Sequence, residues 1–324
     1  MLTLYRSFIG FLKNWTLPVA IIGGAMIYFI FAFVPPLNGV AQTMNPIFDA
    51  ALPWFLFVIL FTTFCRIDYS KMRLAKWHFW VCVAQLVMVL VMVCSITYFN
   101  VQGLRRVLLE CVITCIIGPC AAASAVVTDK LGGSLESMTT YTFISNLITA
   151  IMIPLFFPII DENVVMSFGA TFLRILTKVC VILVVPMLLA WLVRKFWPGV
   201  ARWIVSIPDL SFYLWGCSLS IVSGITFRNI VHADVSLIFL GVIAVVSFVL
   251  CVIQFSVGRN IGRLCGSAIE GGQALGQKNT AFAIWVSSAY LNPLSSVGPG
   301  CYILWQNAIN SLELWQHRKE TSKK

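Results

Sequence analysis

The sequence predicts an all-α polytopic membrane protein, and three observations support that fold class. Sixty per cent of the 324 residues are hydrophobic. Only 10% are charged, against roughly 25% in an average soluble domain, which is too few to cover a surface that faces water. The apolar stretches continue for about twenty residues without alternation, which is the length of a spanning helix rather than of a barrel strand. A water-soluble globular fold is therefore excluded, and a β-barrel is disfavoured.

Ten apolar runs follow one another along the chain, and each predicts one membrane-spanning helix. The first run begins at Trp15 after a basic stretch, and no small-residue cleavage site clearly follows it, so we interpret it as a retained helix rather than a signal peptide. The loops are too short for a soluble domain. We therefore expect one transmembrane domain over 1–324 that ends in a short basic tail, 317–324. The runs are 15–34, 47–65, 77–97, 105–128, 138–158, 168–193, 205–223, 235–257, 265–288 and 294–313.

The net charge of +10 is interpreted as a signal of topology, not of a nucleic-acid partner. An even number of spans puts both termini on one side of the membrane. If that side is the cytoplasm, 16 of the 22 basic residues lie in inner segments and only five lie outside, with Lys278 within a run. This follows the positive-inside rule, so we expect cytoplasmic termini, in a bacterial cytoplasmic membrane. The five outer residues are Arg105, Arg106, Arg174, Lys178 and Arg228.

The fourth and ninth runs are interrupted near their middles by small and polar residues, at 118–124 and 271–280. Irregular backbone inside a membrane survives only where it lines a cavity or is buried in protein. The alternative is that Gly and Ala merely allow close helix packing. Each interrupted run is the fourth of five, and two five-span halves must insert with opposite orientation. This favours two inverted repeats, roughly 1–160 and 165–316, with a binding site where the broken helices meet.

At these residues the chain resembles the bile acid:sodium symporter family. The resemblance implies ten helices in two inverted five-helix repeats, with discontinuous fourth and ninth helices that cross. The fourth run matches from Pro119 through Ser124 to Gly133. The family's C-terminal pattern is G-x-x-N-[ST]-x-x-A followed by S-P-L, P-G, W-x-N and S-L. It stands here as Gly276, Asn279, Thr280, Ala281-Phe282-Ala283, Asn292-Pro293-Leu294, Pro299-Gly300, Trp305-Gln306-Asn307 and Ser311-Leu312.

The resemblance also implies two sodium sites at the crossing, but several of their ligands are replaced in this chain. Sodium is a hard cation that needs several oxygen ligands, so neither site is expected to bind it in the usual way. By residue order, the ligand positions are occupied by Ala274 and Lys278 in the ninth run, Ser124 and Ala125 in the fourth, Met138 and Thr142 in the fifth, and Gln85 in the third.

Lys278 is a functional candidate because an ammonium at mid-membrane costs roughly 2.5–3.5 kcal/mol on insertion scales. One interpretation is a buried ion pair with Glu270 or Glu110. The other is that the ammonium supplies the positive charge that a bound sodium would bring, so that an anionic substrate meets a fixed cation and a half-helix N-terminus.

The substrate is expected to contact both interrupted runs. Backbone N–H groups at 120–124 suit a carboxylate, and Gln306 and Asn307 resemble the family's tenth-helix contacts, although such amides also bond neighbouring helices. The predicted substrate-binding residues are Cys120, Ala121, Ser124, Lys278, Asn279, Thr280, Gln306 and Asn307. The candidates for ion coupling are Gln85, Ser124, Thr142, Asn146, Glu110, Glu270 and Lys278.

The leading functional hypothesis is a secondary carrier for a small or amphipathic organic anion, with a proton, weakly bound sodium or no ion at all coupled to transport. An arsenite efflux permease that uses Cys120, directly after Pro119, is an alternative, and a membrane ligand sensor that does not transport is another. No enzyme is expected, since no nucleophile, base and acid converge and no cofactor motif occurs. The 11 cysteines lie mostly in apolar runs and predict packing, and neither a cofactor nor a metal site is expected.

Overall fold

The computed structural model describes residues 16–34, 38–67, 69–160, 168–207, 210–232 and 235–321. Trp15, where the first run was predicted to begin, and residues 322–324 of the predicted tail lie outside them. The described residues form α1 (Thr16–Phe33), α2 (Asn38–Cys65), α3 (Lys76–Tyr98), α4 (Gly103–Ile117), α5 (Ser124–Lys130), α6 (Leu135–Ile160), α7 (Phe168–Phe196), α8 (Pro198–Ser206), α9 (Leu210–Val231), α10 (Leu237–Leu264), α11 (Ala268–Gly276), α12 (Thr280–Tyr290) and α13 (Val297–Thr321), with 3₁₀ turns at Tyr69–Lys71 and Pro293–Ser296.

These helices agree with an all-α membrane protein. Four of them, α3, α6, α7 and α10, are long and apolar enough to cross a bilayer, and the apolar stretches Val19–Phe33 and Ala50–Cys65 are shorter. Large apolar side chains such as Ile22, Val91 and Leu188 are exposed on the outside of the bundle. An exterior of this kind is unfavourable in water but suits contact with lipid.

The helices differ from the predicted runs in their ends. α2 begins at Asn38, well before the run at 47, and α9 and α13 continue past their runs to Val231 and Thr321. Polar residues lower the local hydrophobicity there without removing a backbone hydrogen bond, so each helix continues beyond its apolar residues. α8 lies in a segment that was predicted as a loop, and it begins at Pro198, a residue that suits the first helical turn.

The helices pack in two groups. In the first, α1 packs on α9, and α2 packs on α7 and α9. In the second, α4 contacts α3, α6, α10, α12 and α13, and its buried residues Ile113 and Ile117 join a cluster with Ile153, Phe282 and Tyr302. α6 with α7, and α9 with α12 and α13, connect the two groups. Both interrupted helices therefore lie in the second group.

Glycines allow α10 and α11 to approach each other closely. A Cβ atom added to Gly271 would lie 2.8 Å from the Cα of Gly262, and one added to Gly258 would lie 2.9 Å from the Cβ of Leu275. Neither position has room for a side chain. The small residues at this start of the ninth run thus serve helix packing, in the way that small residues do at helix contacts in membranes.

Candidate functional site

Two helix breaks lie in the second group of helices, and local sequence explains where each helix stops. α4 ends at Ile117 because Pro119 restricts the preceding residue to extended backbone, and Gly118 has a ψ of 144°. α11 ends at Gly276. The next helix begins after Asn279, whose side-chain oxygen accepts a hydrogen bond from the backbone N–H three residues further on (3.2 Å), as a helix N-cap does.

The two breaks hydrogen-bond to each other. Cys120 and Lys278 form an isolated antiparallel β-bridge. One backbone hydrogen bond runs from Ala121 to the carbonyl of Gln277 (3.0 Å), and another runs from the residue after Lys278 to the residue before Cys120 (2.8 Å). Each break thereby satisfies backbone groups that the other leaves without a helical partner, which is a requirement for irregular backbone at membrane depth.

Side chains from α3 and α6 cap the carbonyl end of α4. The amide nitrogen Nε2 of Gln85 lies 3.0 Å from the carbonyl oxygen of Ile116 and 3.3 Å from those of Ile117 and Gly118. The hydroxyl of Thr149 donates to Ile117 (3.1 Å). Gln85 was predicted from the resemblance as an ion ligand. In this structure its amide N–H groups donate hydrogen bonds to the carbonyls at the end of the half-helix.

The ammonium of Lys278 lies at the same half-helix end. Its Nζ donates to the carbonyl oxygens of Ile116 (2.9 Å) and Gly118 (3.2 Å), and the side chain is only 1% exposed. The C-terminus of a helix carries partial negative charge, so a cation there is stabilised. Backbone oxygens and a helix dipole thus offset part of the cost of burying this charge.

α13 holds the backbone of the second break. The Lys278 N–H donates to Oε1 of Gln306 (2.9 Å), and Nε2 of Gln306 donates back to the Lys278 carbonyl (3.2 Å). The Thr280 N–H donates to the same carbonyl (2.9 Å). The hydroxyl of Tyr302 donates to the carbonyl of Gly276 (2.7 Å). The position of the ammonium is consequently fixed from the backbone as well as from its own contacts.

Glu110, one predicted partner of Lys278, is engaged elsewhere. Its carboxylate pairs with Arg106 (3.2 Å) and accepts hydrogen bonds from the hydroxyl of Ser295 (2.6 Å) and the backbone N–H of Asn292 (3.2 Å). These contacts tie the first turns of α4 to the turn before α13. Glu110 therefore does not pair with Lys278 in this structure.

Glu270, the other predicted partner, is also engaged away from Lys278. Its Oε1 accepts a hydrogen bond from the Ser134 N–H (2.7 Å), just before α6 begins. Among the described residues, Lys278 has no carboxylate within ion-pair distance. This structure therefore does not contain the ion pair with Glu110 or Glu270 that was one interpretation of Lys278.

The segment at 120–124 has fewer available N–H groups than the sequence suggested. The Cys120 N–H donates to the hydroxyl of Ser145 (2.9 Å), the Ala121 N–H to Gln277, and the Ser124 N–H to the Ala121 carbonyl (3.1 Å). The Ser124 hydroxyl lies 2.9 Å from the Cys120 sulfur. A carboxylate at this segment would have to use the N–H groups between these residues or displace existing hydrogen bonds.

Three other predicted residues hydrogen-bond within their own helices. The Thr142 hydroxyl donates to the Met138 carbonyl (3.0 Å), and the Asn146 amide donates to the Thr142 carbonyl (2.7 Å). On α13, the Asn307 amide donates to the Ile303 carbonyl (2.7 Å). The Asn146 side-chain oxygen is buried and has no hydrogen-bond partner, so it is the acceptor in this set that a bound group could still use.

The positions that lack sodium ligands lie together. Ala274, Ala125 and Met138, where the resemblance implies ligand oxygens, belong to one buried cluster with Trp77 and Tyr141. Ala274 and Met138 are fully buried. The replacements are thus concentrated in one apolar region beside the helix crossing.

Sequence reasoning missed several polar side chains that hold the crossing, among them Thr149, Ser145 and Tyr302. It also missed Gln254, whose Nε2 donates to the Tyr302 hydroxyl (2.9 Å) and lies 3.4 Å from the Cys115 carbonyl. A single amide in the apolar run 235–257 is a signal that could have identified Gln254. Hydroxyl residues are too common in membrane helices to give such a signal.

Metal ligands are not assembled in the part of the chain that the structure describes. Those residues contain no group of three or more His, Cys, Asp or Glu side chains that could hold a metal ion. The polar groups described at the crossing include backbone carbonyls and N–H groups, side-chain amides, hydroxyls and the ammonium of Lys278. Such groups can bind an ion or an anionic solute.

Apolar spanning helices, a lipid-compatible exterior and paired helix breaks in the interior define an integral, multi-pass membrane protein of the transporter class. A model of the sodium bile acid symporter family matches residues 53–259. The chain belongs to that family. Its members are transporters, which supports the expectation that this protein is not an enzyme. A search of curated proteins found no match to the chain.

The family match covers the third to eighth predicted runs in full and much of the second. It ends before the ninth, so Lys278 and the C-terminal pattern of the resemblance lie outside it. Family membership therefore rests on the first break and its surrounding helices. The assignment of the second break rests on the geometry of that break and on the residues quoted for the resemblance.

Proposed function

We propose that this protein is a secondary carrier of a small or amphipathic organic anion that works by alternating access, with ten spans in two inverted five-helix repeats. The family as a whole supports a sodium-coupled organic-anion transporter. The breaks in the fourth and ninth runs, and the hydrogen bonds that join them, support a central binding site between repeats.

Lys278 takes the place of a coupling cation in this proposal, and the position of its ammonium is the observation that carries it. In transporters with broken helices, half-helix C-termini and unwound carbonyls are where coupling cations bind. Nζ of Lys278 lies on the carbonyls of Ile116 and Gly118 at such an end. The apolar cluster around Ala274 supports the loss of ordinary sodium sites.

The substrate-binding set of this proposal comprises residues on both sides of the crossing. The anionic group of the substrate is attracted by Lys278, and the polar groups of the substrate contact side chains from both repeats and from α13. The coupling ion is a proton or, weakly, sodium. The set is Cys120, Ala121, Ser124, Lys278, Asn279, Thr280, Gln306 and Asn307, with Gln85, Thr142, Asn146, Glu110 and Glu270 as further candidates for coupling.

Uptake into proteoliposomes tests the function. Vesicles with the purified chain receive a labelled bile acid, a labelled short carboxylate or arsenite, under a sodium gradient, a pH gradient or neither. We expect saturable uptake of one anion that does not require sodium and that is absent with Lys278→Met. Uptake of arsenite alone would instead indicate the permease alternative, and binding without uptake would indicate a sensor.

A further inference from the structure

α8 is a short helix at the end of α7, and its position fits the membrane surface. The chain turns sharply between the two helices: Trp197 has φ −130° and ψ 62°, and Pro198 opens the next helix. Nine residues span about 14 Å at 1.5 Å per residue, which is far too short to cross a hydrocarbon core of about 30 Å. α8 packs on α7 and α2.

The helix presents three different faces. Ala201 and Ile204, three residues apart, are buried against the bundle, whereas Val200 and Trp203, also three apart, are 48% and 65% exposed. Arg202 is exposed and lies on neither of those faces. A helix with one face on protein, one apolar face uncovered and one polar face is typical of the boundary between acyl chains and headgroups.

Basic side chains gather at this end of the bundle. Arg194 donates from Nη1 to the carbonyl of Cys65 (2.8 Å), which brings the end of α2, and with it the exposed Arg66, to the end of α7. Nζ of Lys195 lies 4.9 Å from the ring centroid of Trp191, and this side chain is also exposed. Arg66, Lys195 and Arg202 thus flank the junction of three helices.

Negative charge is absent from the described parts of this junction, 60–67 and 190–207. Asp68 and Asp209, the nearest acidic residues in sequence, lie outside the described residues. Three exposed cations beside an uncovered apolar helix face complement a lipid that combines an anionic headgroup with acyl chains.

We propose that Arg66, Lys195 and Arg202 form a binding site for the headgroup of an anionic phospholipid whose acyl chains pack on Val200 and Trp203. The apolar face sets the depth of α8 in the leaflet, and the cations select the headgroup. This site is independent of the proposed transport function, because it lies at the end of α2 and α7 and not at the helix crossing.

Native mass spectrometry and thermal unfolding of the full chain test the site, with phosphatidylglycerol compared with phosphatidylcholine of the same acyl chains. We expect phosphatidylglycerol to bind and to raise the melting temperature of the wild type more than phosphatidylcholine does. The triple variant Arg66→Gln, Lys195→Gln, Arg202→Gln should lose at least tenfold in phosphatidylglycerol affinity.

The matched control is Arg105→Gln, Arg174→Gln, Lys178→Gln, which removes the same charge from exposed residues at the start of α4 and in the first half of α7, away from α8, and should keep the selectivity. A wild-type melting temperature for the triple variant in phosphatidylcholine shows that it folds; if the variant unfolds, single substitutions at Lys195 and Arg202 serve instead. Equal stabilisation of the wild type by both lipids, or equal losses in the two triple variants, would overturn the proposal.

Discussion

At the scale of single residues, Lys278 is a buried ammonium that contacts backbone carbonyls and, within the described part of the chain, no carboxylate. A carboxylate partner would neutralise the ammonium and leave little attraction for a substrate. The backbone carbonyls of Ile116 and Gly118 stabilise the ammonium through partial charges, so its net positive charge is retained. In the proposed function, this retained charge is what attracts the anion.

Replacing Lys278 by Met should abolish anion binding with little change in melting temperature. The two carbonyls that lose the ammonium keep the Gln85 amide as a partner, and a desolvated charge is removed. Binding is measured by thermal shift with added anion, with Lys178→Met on the exposed face of α7 as the control. A large fall in melting temperature that Glu270→Gln or Glu110→Gln repairs would show that Lys278 is a structural ion-pair partner instead.

Gln306 and Asn307 offer a test of neighbouring amides with different roles. Gln306→Leu leaves the buried N–H of Lys278 without its acceptor, which should cost about 1–3 kcal/mol of unfolding free energy. Asn307→Leu removes a bond within its own helix and should cost much less. Thermal unfolding in detergent, at fixed detergent and protein concentrations, compares the two variants. Equal losses would argue against a special role for Gln306 at the break.

At the scale of helices, the ninth run combines a half that packs closely on α10 and a half that hydrogen-bonds to the other break. α11 lies against α10 through glycines at which a Cβ atom has no room. Past Gly276 the chain leaves helical geometry and joins the other break. The glycines of the first half therefore serve close packing, and the residues after Gly276 are the ones that join the other break.

Gly258→Ala should destabilise the protein although alanine favours helix. The added methyl would lie 2.9 Å from the Cβ of Leu275 and 3.0 Å from the carbonyl carbon of Gly271, with the carbonyl oxygen of Gly271 closer still. Overpacking of this kind typically costs about 1–3 kcal/mol. Gly241→Ala on the same helix is the matched control, because no atom lies within 4 Å of its added Cβ. Its stability should be unchanged or slightly higher. A Gly258→Ala protein as stable as the control would contradict the close approach.

At the scale of the whole molecule, charge distribution sets orientation. Both termini are predicted to be cytoplasmic, because basic residues are concentrated in the segments on their side. Fluorescent-protein and alkaline-phosphatase fusions after Lys324 measure this, and fluorescence without phosphatase activity is expected. Fusions in the loop between α1 and α2 should give the opposite pattern. An active phosphatase at the C-terminus would show that the topology is the opposite of the one predicted.

Substrate affinity should be similar in sodium, potassium and choline media. Ala274, Ala125 and Met138 supply no ligand oxygen from their side chains, and Lys278 places an ammonium where a ligand is implied. Titration of the transported anion in the three media measures the coupling. A rise of tenfold or more in sodium alone, about 1.4 kcal/mol, would contradict the surrogate role of Lys278 and favour ordinary sodium coupling.

Sequence by itself determined the class of protein, the approximate places of the helices and both breaks. Lipid requires long apolar helices, and Pro119 stops a helix through local geometry, so these features depend on neighbours in the chain. The sequence analysis did not predict α8, because nine residues of mixed composition are too short to give the long apolar stretch that identifies a membrane-spanning helix.

Only the tertiary structure decided what the residues at the breaks contact. The ammonium of Lys278 meets a carbonyl 162 residues earlier in the chain, and the carboxylate of Glu110 meets a hydroxyl 185 residues later. Sequence left both Glu270 and Glu110 open as partners of Lys278, because composition and spacing carry no information about which helices become neighbours. Packing of α4 against α10, α12 and α13 accompanies the contact of Lys278 with the carbonyl end of a half-helix. Glu110 instead contacts Arg106, Ser295 and the Asn292 N–H, and Glu270 contacts the Ser134 N–H.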